Sequence, residues 1–498
     1  MKRLPLVLGL GLLFGSAVAQ EPTDEEWAEA FAPYDIAMAR GNLQGAANAL
    51  TEIVSDEERS GFHGDALLNL GEVLVQLDLP YAGLLTYGEL LASETPSATA
   101  VTRAILLTED APDRGLLQGI FGDNVGIEVE PADQASVAWL AALDNFRDGN
   151  LSVSLGILAM VDSSSTLYSK AQHLKGIIMA QQGRYTDSLA PLMTARSTTE
   201  IQDEVDLINI NLGRSYYGAE NFARAIEYFA LVERGSHHWL EAQFERAWAH
   251  FMLEDVSGAV ALLLTHMSPF FDDQFFPEAE LLDTYSLFLL CKFPAATERI
   301  EHFRDSYRPL LDELTTSLEG ISNEELFEQA RALLTGGESS VPARAIRDLI
   351  LVERFEDILN VVIQGEEEIE KLRSATGGPF ATRAIDAIEA RISELRDAEG
   401  ARLHDTLAAR AEGLNTMLAD TEIARLDILR LETRLYEQAA SMGEMEEARR
   451  LAARQLRTPR GHVRWPFQGE FWADELGYYR VTAKPECPAS LQVGTDSD

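Results

Sequence analysis

A fixed step of 34 residues constrains this chain more than any other feature. Gly213 and Ala247, Ala225 and Ala259, and Phe229 and Leu263 are each 34 positions apart. A step of that length, held over several units, marks a stack of helix pairs rather than one closed core. In the best-formed unit, Leu212-Gly213, Tyr216, Ala225 and Phe229 mix small and large residues. The small ones let two helices approach, and the large ones fill the angle between them. Upstream, Leu174-Lys175-Gly176 and Gly183-Arg184-Tyr185 repeat the pattern with a three-residue insertion in a loop, and Phe146 to Leu151 repeats it again. Asn69-Leu70-Gly71 and Arg40-Gly41-Asn42-Leu43 mark two earlier units, and the span around Ala98 to Pro131 has the length of one more. Ala279 to Ile300 forms another after the insertion Ser268-Pro269-Phe270-Phe271-Asp272-Asp273. The expected fold is an all-α solenoid of about seven to eight helix-turn-helix units between Trp27 and Tyr307. Thr23 with Glu26, and Ser197 with Glu200, have the spacing of capping boxes at helix starts.

Beyond about residue 310 the step disappears and the pattern becomes that of longer helices. Ser322 with Glu325 is a further capping box, and Gly336-Gly337 and Gly377-Gly378-Pro379 are breaks. Ile385, Ile388, Ile392 and Leu395 follow helical spacing, and Leu426, Leu429 and Tyr436 lie on a similar seam. Two long helices turning near Leu418 to Thr421 would make an antiparallel hairpin, with an intermolecular coiled coil as the alternative. The expected layout is a signal peptide over 1–20, the solenoid over 21–310, the long-helix hairpin over 311–456, an aromatic segment over 457–484 and a tail over 485–498. The aromatic segment carries Trp465, Phe467, Phe471, Trp472, Tyr478 and Tyr479, which either pack on the protein's own helices or form a docking site for a partner.

Lys2 and Arg3, an apolar stretch from Leu4 to Phe14 and Ala17-Val18-Ala19 read as a cleavable secretory signal, so the expected location is periplasmic. No later stretch is apolar enough to span a bilayer. The chain carries 81 acidic against 41 basic residues and a net charge of −40, which makes nucleic acid and anionic lipid poor partners. Cys291 and Cys487 are the only cysteines. One lies in a repeat and the other in a Pro-containing tail, which favours separate thiols over a bridge. The sequence has no phosphate-cradling Gly-Lys-Ser/Thr loop, no HExxH, no paired CxxC and no Gly-x-Ser-x-Gly elbow. His237, His238 and His250 are too far apart along a helix to close on one ion, and Asp272-Asp273 and Glu366-Glu367-Glu368 read as solvated carboxylates. No catalytic, cofactor or metal site is expected.

The units resemble the tetratricopeptide repeat (TPR) family, most specifically at Leu212-Gly213, Tyr216, Ala225 and Phe229, over somewhat more than half of the chain. Ser268 to Ala279, Trp465-Pro466-Phe467 and Phe471 to Tyr479 look more narrowly like periplasmic TPR proteins of myxobacteria-like bacteria, some of them linked to gliding motility. The resemblance implies a groove lined by the first helix of each unit. Its positions here are Lys170, His173 and Ile177, then Leu207, Ile210, Arg214 and Tyr217, then Phe244, Trp248 and Phe251. The expected function is a non-enzymatic protein-binding scaffold in a motility-type envelope complex. The alternative is an adaptor in envelope biogenesis or cell division, acting with peptidoglycan or outer-membrane assembly machinery.

Overall fold

The structure is a computed structural model that describes residues 23–93, 96–108, 113–123, 127, 129–374, 377–442 and 469–484. The signal-like stretch, Trp465, Phe467 and the expected tail lie outside those residues. All regular structure among the described residues is helical, and the chain divides into two compact units.

The first unit holds α1 (Asp24–Ala39), α2 (Leu43–Val54), α3 (His63–Gln76), α4 (Pro80–Leu91) and α5 (Ala98–Leu107). It also takes in part of α19 (Glu353–Ser374) and of α20 (Pro379–Met442), over residues 363–391. The expected capping box opens α1: Thr23 Oγ1 accepts from Glu26 N–H and Glu26 Oε2 accepts from Thr23 N–H. Helices α3 and α4 are locked by Gly71 against Tyr87, since a Cβ on Gly71 would lie 2.5 Å from the ring. At the start of α4, Glu368 of α19 accepts hydrogen bonds from Tyr81 N–H at 2.7 Å and Ala82 N–H at 2.9 Å. A helix start leaves such amides without partners and carries partial positive charge, so a carboxylate satisfies both needs. Glu368 is 2 % exposed, and burial pushes its pKa up against those bonds. It belongs to the run read as solvated carboxylates; the structure corrects that reading for this one residue.

The second unit holds α6 (Arg114–Asp123), α7 (Gln134–Arg147), α8 (Leu151–Leu158), α9 (Tyr168–Gln181), α10 (Tyr185–Thr198), α11 (Gln202–Gly218), α12 (Phe222–Phe229), α13 (Trp239–Met252), α14 (Val256–His266), α15 (Pro277–Leu289), α16 (Phe293–Leu318), α17 (Asn323–Leu334) and α18 (Ala343–Ile350). The remainders of α19 and α20 belong to it as well. Between the helices of its pairs the chain turns through a residue with positive φ: Gly149, Gly183, Glu220, Glu254 and Cys291, in steps of 34 or 37. Gly41 and Asp78 play the same part in the first unit. At each turn the N–H of the positive-φ residue returns three residues, and the next N–H returns five, as in Glu220 to Tyr217 and Asn221 to Tyr216. This Schellman turn satisfies the last carbonyls of the first helix. Its strict recurrence is the physical form of the sequence period.

Two sequence readings are corrected here. Ser197 with Glu200 does not cap a helix: α10 continues to Thr198, Ser197 Oγ donates back to Thr194 O, and Thr199 accepts from Ile201 N–H instead. Nor does the chain reverse near Leu418 to Thr421. Helix α20 passes through unbroken, because no Gly or Pro interrupts it there and Leu407, Leu414, Leu418 and Ile428 continue one buried stripe. The long helices instead follow one another through Gly377-Gly378, and Arg354 of α19 pairs with Glu399 of α20 at 3.1 Å. Gly400 is fixed by its neighbour, since a Cβ there would lie 1.9 Å from Asn323 O at the start of α17.

The insertion at 268–276 serves the protein's own packing. Phe271 meets Trp239, Phe276 meets Phe244, and Phe275 sits under the Arg410 guanidinium at 4.5 Å. Arg344 of α18 donates to Gln274 O, Ser306 Oγ and Tyr307 Oη, while Arg347 pairs with Asp273.

Candidate protein-docking faces

The first helices α9, α11 and α13 carry all ten residues expected in a groove. Lys170 and Arg214 are exposed, His173, Ile177, Leu207, Tyr217, Phe244, Trp248 and Phe251 are half-buried, and Ile210 is buried. Ile210 is therefore corrected. It is 0 % exposed in a cluster with Phe229 and Trp239, where Ala242 and Ala249 let α13 close over it. It holds the helices together and offers nothing to a ligand.

The charged groups on this face are joined from helix to helix. Lys170 of α9 reaches Glu204 of α11 at 3.6 Å, and Arg214 of α11 reaches Glu241 of α13 at 2.6 Å and also Glu245. Burial alone would lower the Arg214 pKa, but its two carboxylate partners outweigh burial and hold it cationic. His173 is uncharged near neutral pH, because burial lowers its pKa to about 4. Asn211 Nδ2 lies 2.9 Å from His173 Nε2, and an amide nitrogen can only donate, so the ring nitrogen accepts. The face expected to present basic groups thus has them neutralised within the chain.

What is left for a partner is apolar. Trp248 packs edge-on to Phe244 and to Phe251, with ring centroids at 6.5 and 5.7 Å, and Tyr217 packs edge-on to Phe222 at 5.1 Å. Beneath them His266 donates Nε2–H to Leu240 O at 3.0 Å, between Phe244 and Phe276. Burial lowers its pKa to about 4. Glu204, Asn211, Glu241 and Glu245 were missed by the sequence reading. The repeat register alone could have found them, since they occupy first-helix positions facing the residues that were chosen.

The second face is the C-terminal segment 469–484, laid against α12 to α14. Leu476 is 3 % exposed in the cluster with Val232, Trp239 and Leu240, and Phe471 and Tyr479 pack beside it. Gly477 N–H donates to Thr265 Oγ1 at 2.9 Å, Ala483 N–H to Ser257 Oγ at 3.1 Å, and Arg234 Nη1 to Asp474 O at 3.1 Å. Gly477 has φ of 82°, and a Cβ there would lie 2.6 Å from the Trp239 indole, so only glycine fits. Of the expected docking aromatics, Trp472 and Tyr478 are 57 % and 72 % exposed, whereas Phe471 and Tyr479 pack inward.

Cys291, at the turn between α15 and α16, is disulfide-bonded, and no cysteine among the described residues is free. The expectation of a thiol at Cys291 is therefore corrected, and Cys487 lies outside the described residues.

Helix pairs, recurrent Schellman turns and small-against-large contacts decide the architecture. The fold is all-α, of the tetratricopeptide type. No protein-family model matches the chain, and no curated protein matches it. Solved structures of TPR and other helical proteins resemble it only distantly. MamA shares 14 % identity at a TM-score of 0.20, over 43 % of this chain and 96 % of its own. A TPR protein from Parabacteroides merdae shares 15 % at 0.27, over 52 % and 98 %. The Cut9-Hcn1 hetero-tetramer shares 12 % at 0.19, over 86 % and 96 %. Among the described residues no helix is long and apolar enough to cross a membrane, and no group of three or more His, Cys, Asp or Glu could hold a metal ion.

Proposed function

We propose that this protein is an exported, non-enzymatic scaffold of the cell envelope that binds a protein partner along the first-helix face of α9, α11 and α13. The observation that carries this reading is the make-up of that face. Its charges are paired between helices, while Leu207, Tyr217, Trp248 and Phe251 remain partly open. Aromatic groups on a rigid support are the side chains that dominate protein interfaces. Export is supported by the N-terminal pattern from Lys2 to Ala19 and by the disulfide at Cys291, a bond that persists in oxidising compartments. Membership of a motility-type complex rests on the sequence resemblance of 268–279 and of the C-terminal aromatic segment.

A Tyr217→Ala/Trp248→Ala double variant tests the face. It is expected to keep the helical spectrum of the native chain and to lose the partner recovered with native protein from the envelope. A variant that is folded and retains that partner would refute the assignment of this face.

A further inference from the structure

The C-terminal segment is anchored on α12 to α14 yet shows two of its largest side chains to solvent. Glu475 N–H donates to Trp472 O at 3.0 Å and Tyr478 N–H donates to Glu475 O at 2.9 Å, which makes two linked turns. Trp472, Glu475 and Tyr478 are the residues at which those turns begin and end, and all three are exposed. The Cα atoms at the two ends of such a turn lie within about 7 Å, so Glu475 has an exposed aromatic residue one turn before it and another one turn after it. The support beneath them is fixed by buried Leu476, by the Gly477 contact with Trp239, and by bonds to Thr265, Ser257 and Arg234.

We infer that Trp472, Glu475 and Tyr478 form a docking site for an arginine- or lysine-bearing segment of a partner protein. Aromatic faces attract cations and the carboxylate pairs with them. Asp474 beside them is also exposed, and Arg480 and Lys484 are the cationic residues on the same segment. The chain's net charge of −40 draws a basic partner from a distance. The protein already uses this chemistry within the platform, where the Arg234 guanidinium lies 5.6 Å from the Trp239 ring. The three side chains belong to the C-terminal segment, whereas the first-helix face is made by α9, α11 and α13; Tyr217 and Leu476 meet the same buried cluster beneath them.

The test is a fluorescence-anisotropy titration of the full exported chain with a labelled twelve-residue arginine–serine peptide in 150 mM salt. Each exposed ring is worth about two- to fivefold in affinity. Trp472→Ala/Tyr478→Ala should therefore weaken binding about tenfold and Glu475→Gln about threefold. Glu319→Gln, an exposed carboxylate elsewhere, should leave binding unchanged. Equal binding by the aromatic double variant, or equal weakening by Glu475→Gln and Glu319→Gln, would show that diffuse charge alone holds the peptide and would overturn the proposal. So would Trp472-dependent binding to neutral phosphatidylcholine vesicles with none to the peptide. Unchanged circular dichroism in each variant separates loss of the site from loss of fold.

Discussion

Replacing Gly213 by alanine places a methyl group where the repeat has no room for one. An ideal Cβ at Gly213 would lie 2.5, 2.6 and 2.8 Å from three atoms of the Phe229 ring. Ordinary carbon contacts are about 3.5–4.0 Å, so α11 and α12 would have to part by about 1 Å. Phe229 is 0 % exposed and its ring has no free space to enter. Overpacking of this kind costs about 1–3 kcal/mol, while removing a glycine from a helix returns about 0.5–1 kcal/mol. Gly213→Ala should therefore destabilise by about 1–2 kcal/mol. Gly156, exposed in α8 with nothing within 4 Å of its would-be Cβ, is the control. Gly156→Ala should stabilise by about 0.5–1 kcal/mol. The same chemical change is thus expected to act with opposite sign at two sites. Urea unfolding followed by circular dichroism reads the difference. Amide exchange on α8, α11 and α12 assigns it to the unit changed, since helix pairs in an array can open separately. Stabilisation by Gly213→Ala equal to that by Gly156→Ala would refute the packing argument.

Glu368→Ala should destabilise by about 2–4 kcal/mol, because it strands two buried amides at the start of α4, and it should raise amide exchange at Tyr81 and Ala82. Glu368→Gln, which keeps one acceptor oxygen, should lie between that variant and the native chain. His173 and His266 are uncharged in the folded chain, with pKa values lowered to about 4, while the unfolded chain binds a proton on each below about pH 6.5. Their contribution to stability is therefore complete above pH 6.5 and is lost as pH falls toward 4. Urea midpoints measured between pH 7 and 5 should fall, and replacing both histidines by phenylalanine should flatten the decline. Proteolysis without reductant, followed by mass spectrometry, should recover the Cys291 and Cys487 peptides as one species that separates on reduction. Separate, alkylatable peptides in unreduced protein would contradict the bridge.

The repeat region was legible in the sequence because its physics is local and periodic. Each Gly or Ala that admits a neighbouring helix, and each ring that fills the angle, recurs at a fixed offset, so Gly213 with Phe229 announces itself, and the same offset leads from Gly71 to Tyr87, which the structure shows in contact. The turn residues were less visible, since Glu220, Glu254 and Cys291 take a backbone conformation usually left to glycine and are held there by the turn's hydrogen bonds. The groove was only partly legible. Spacing named the right helices, but whether Arg214 faces a ligand or Glu241 and Glu245 depends on the neighbouring unit. Ile210 shows the same limit, because it shares a stripe with Leu207 and Arg214 and is buried only by the approach of α13. The long-range features left no local signal at all. Glu368 on α4 and the C-terminal segment on α14 each join residues that are far apart in the chain.

The measurement that bears most directly on the proposed function is site-specific photocrosslinking from single positions of the exported chain in its native envelope. Photoreactive residues at Tyr217 and Trp248, on the first-helix face, should give one shared protein adduct, and residues at exposed Val153 and Leu231, on and after second helices, should not. An adduct equally strong from all four positions, or none from Tyr217 and Trp248 in cells where the protein is abundant, would contradict a scaffold that binds along α9, α11 and α13.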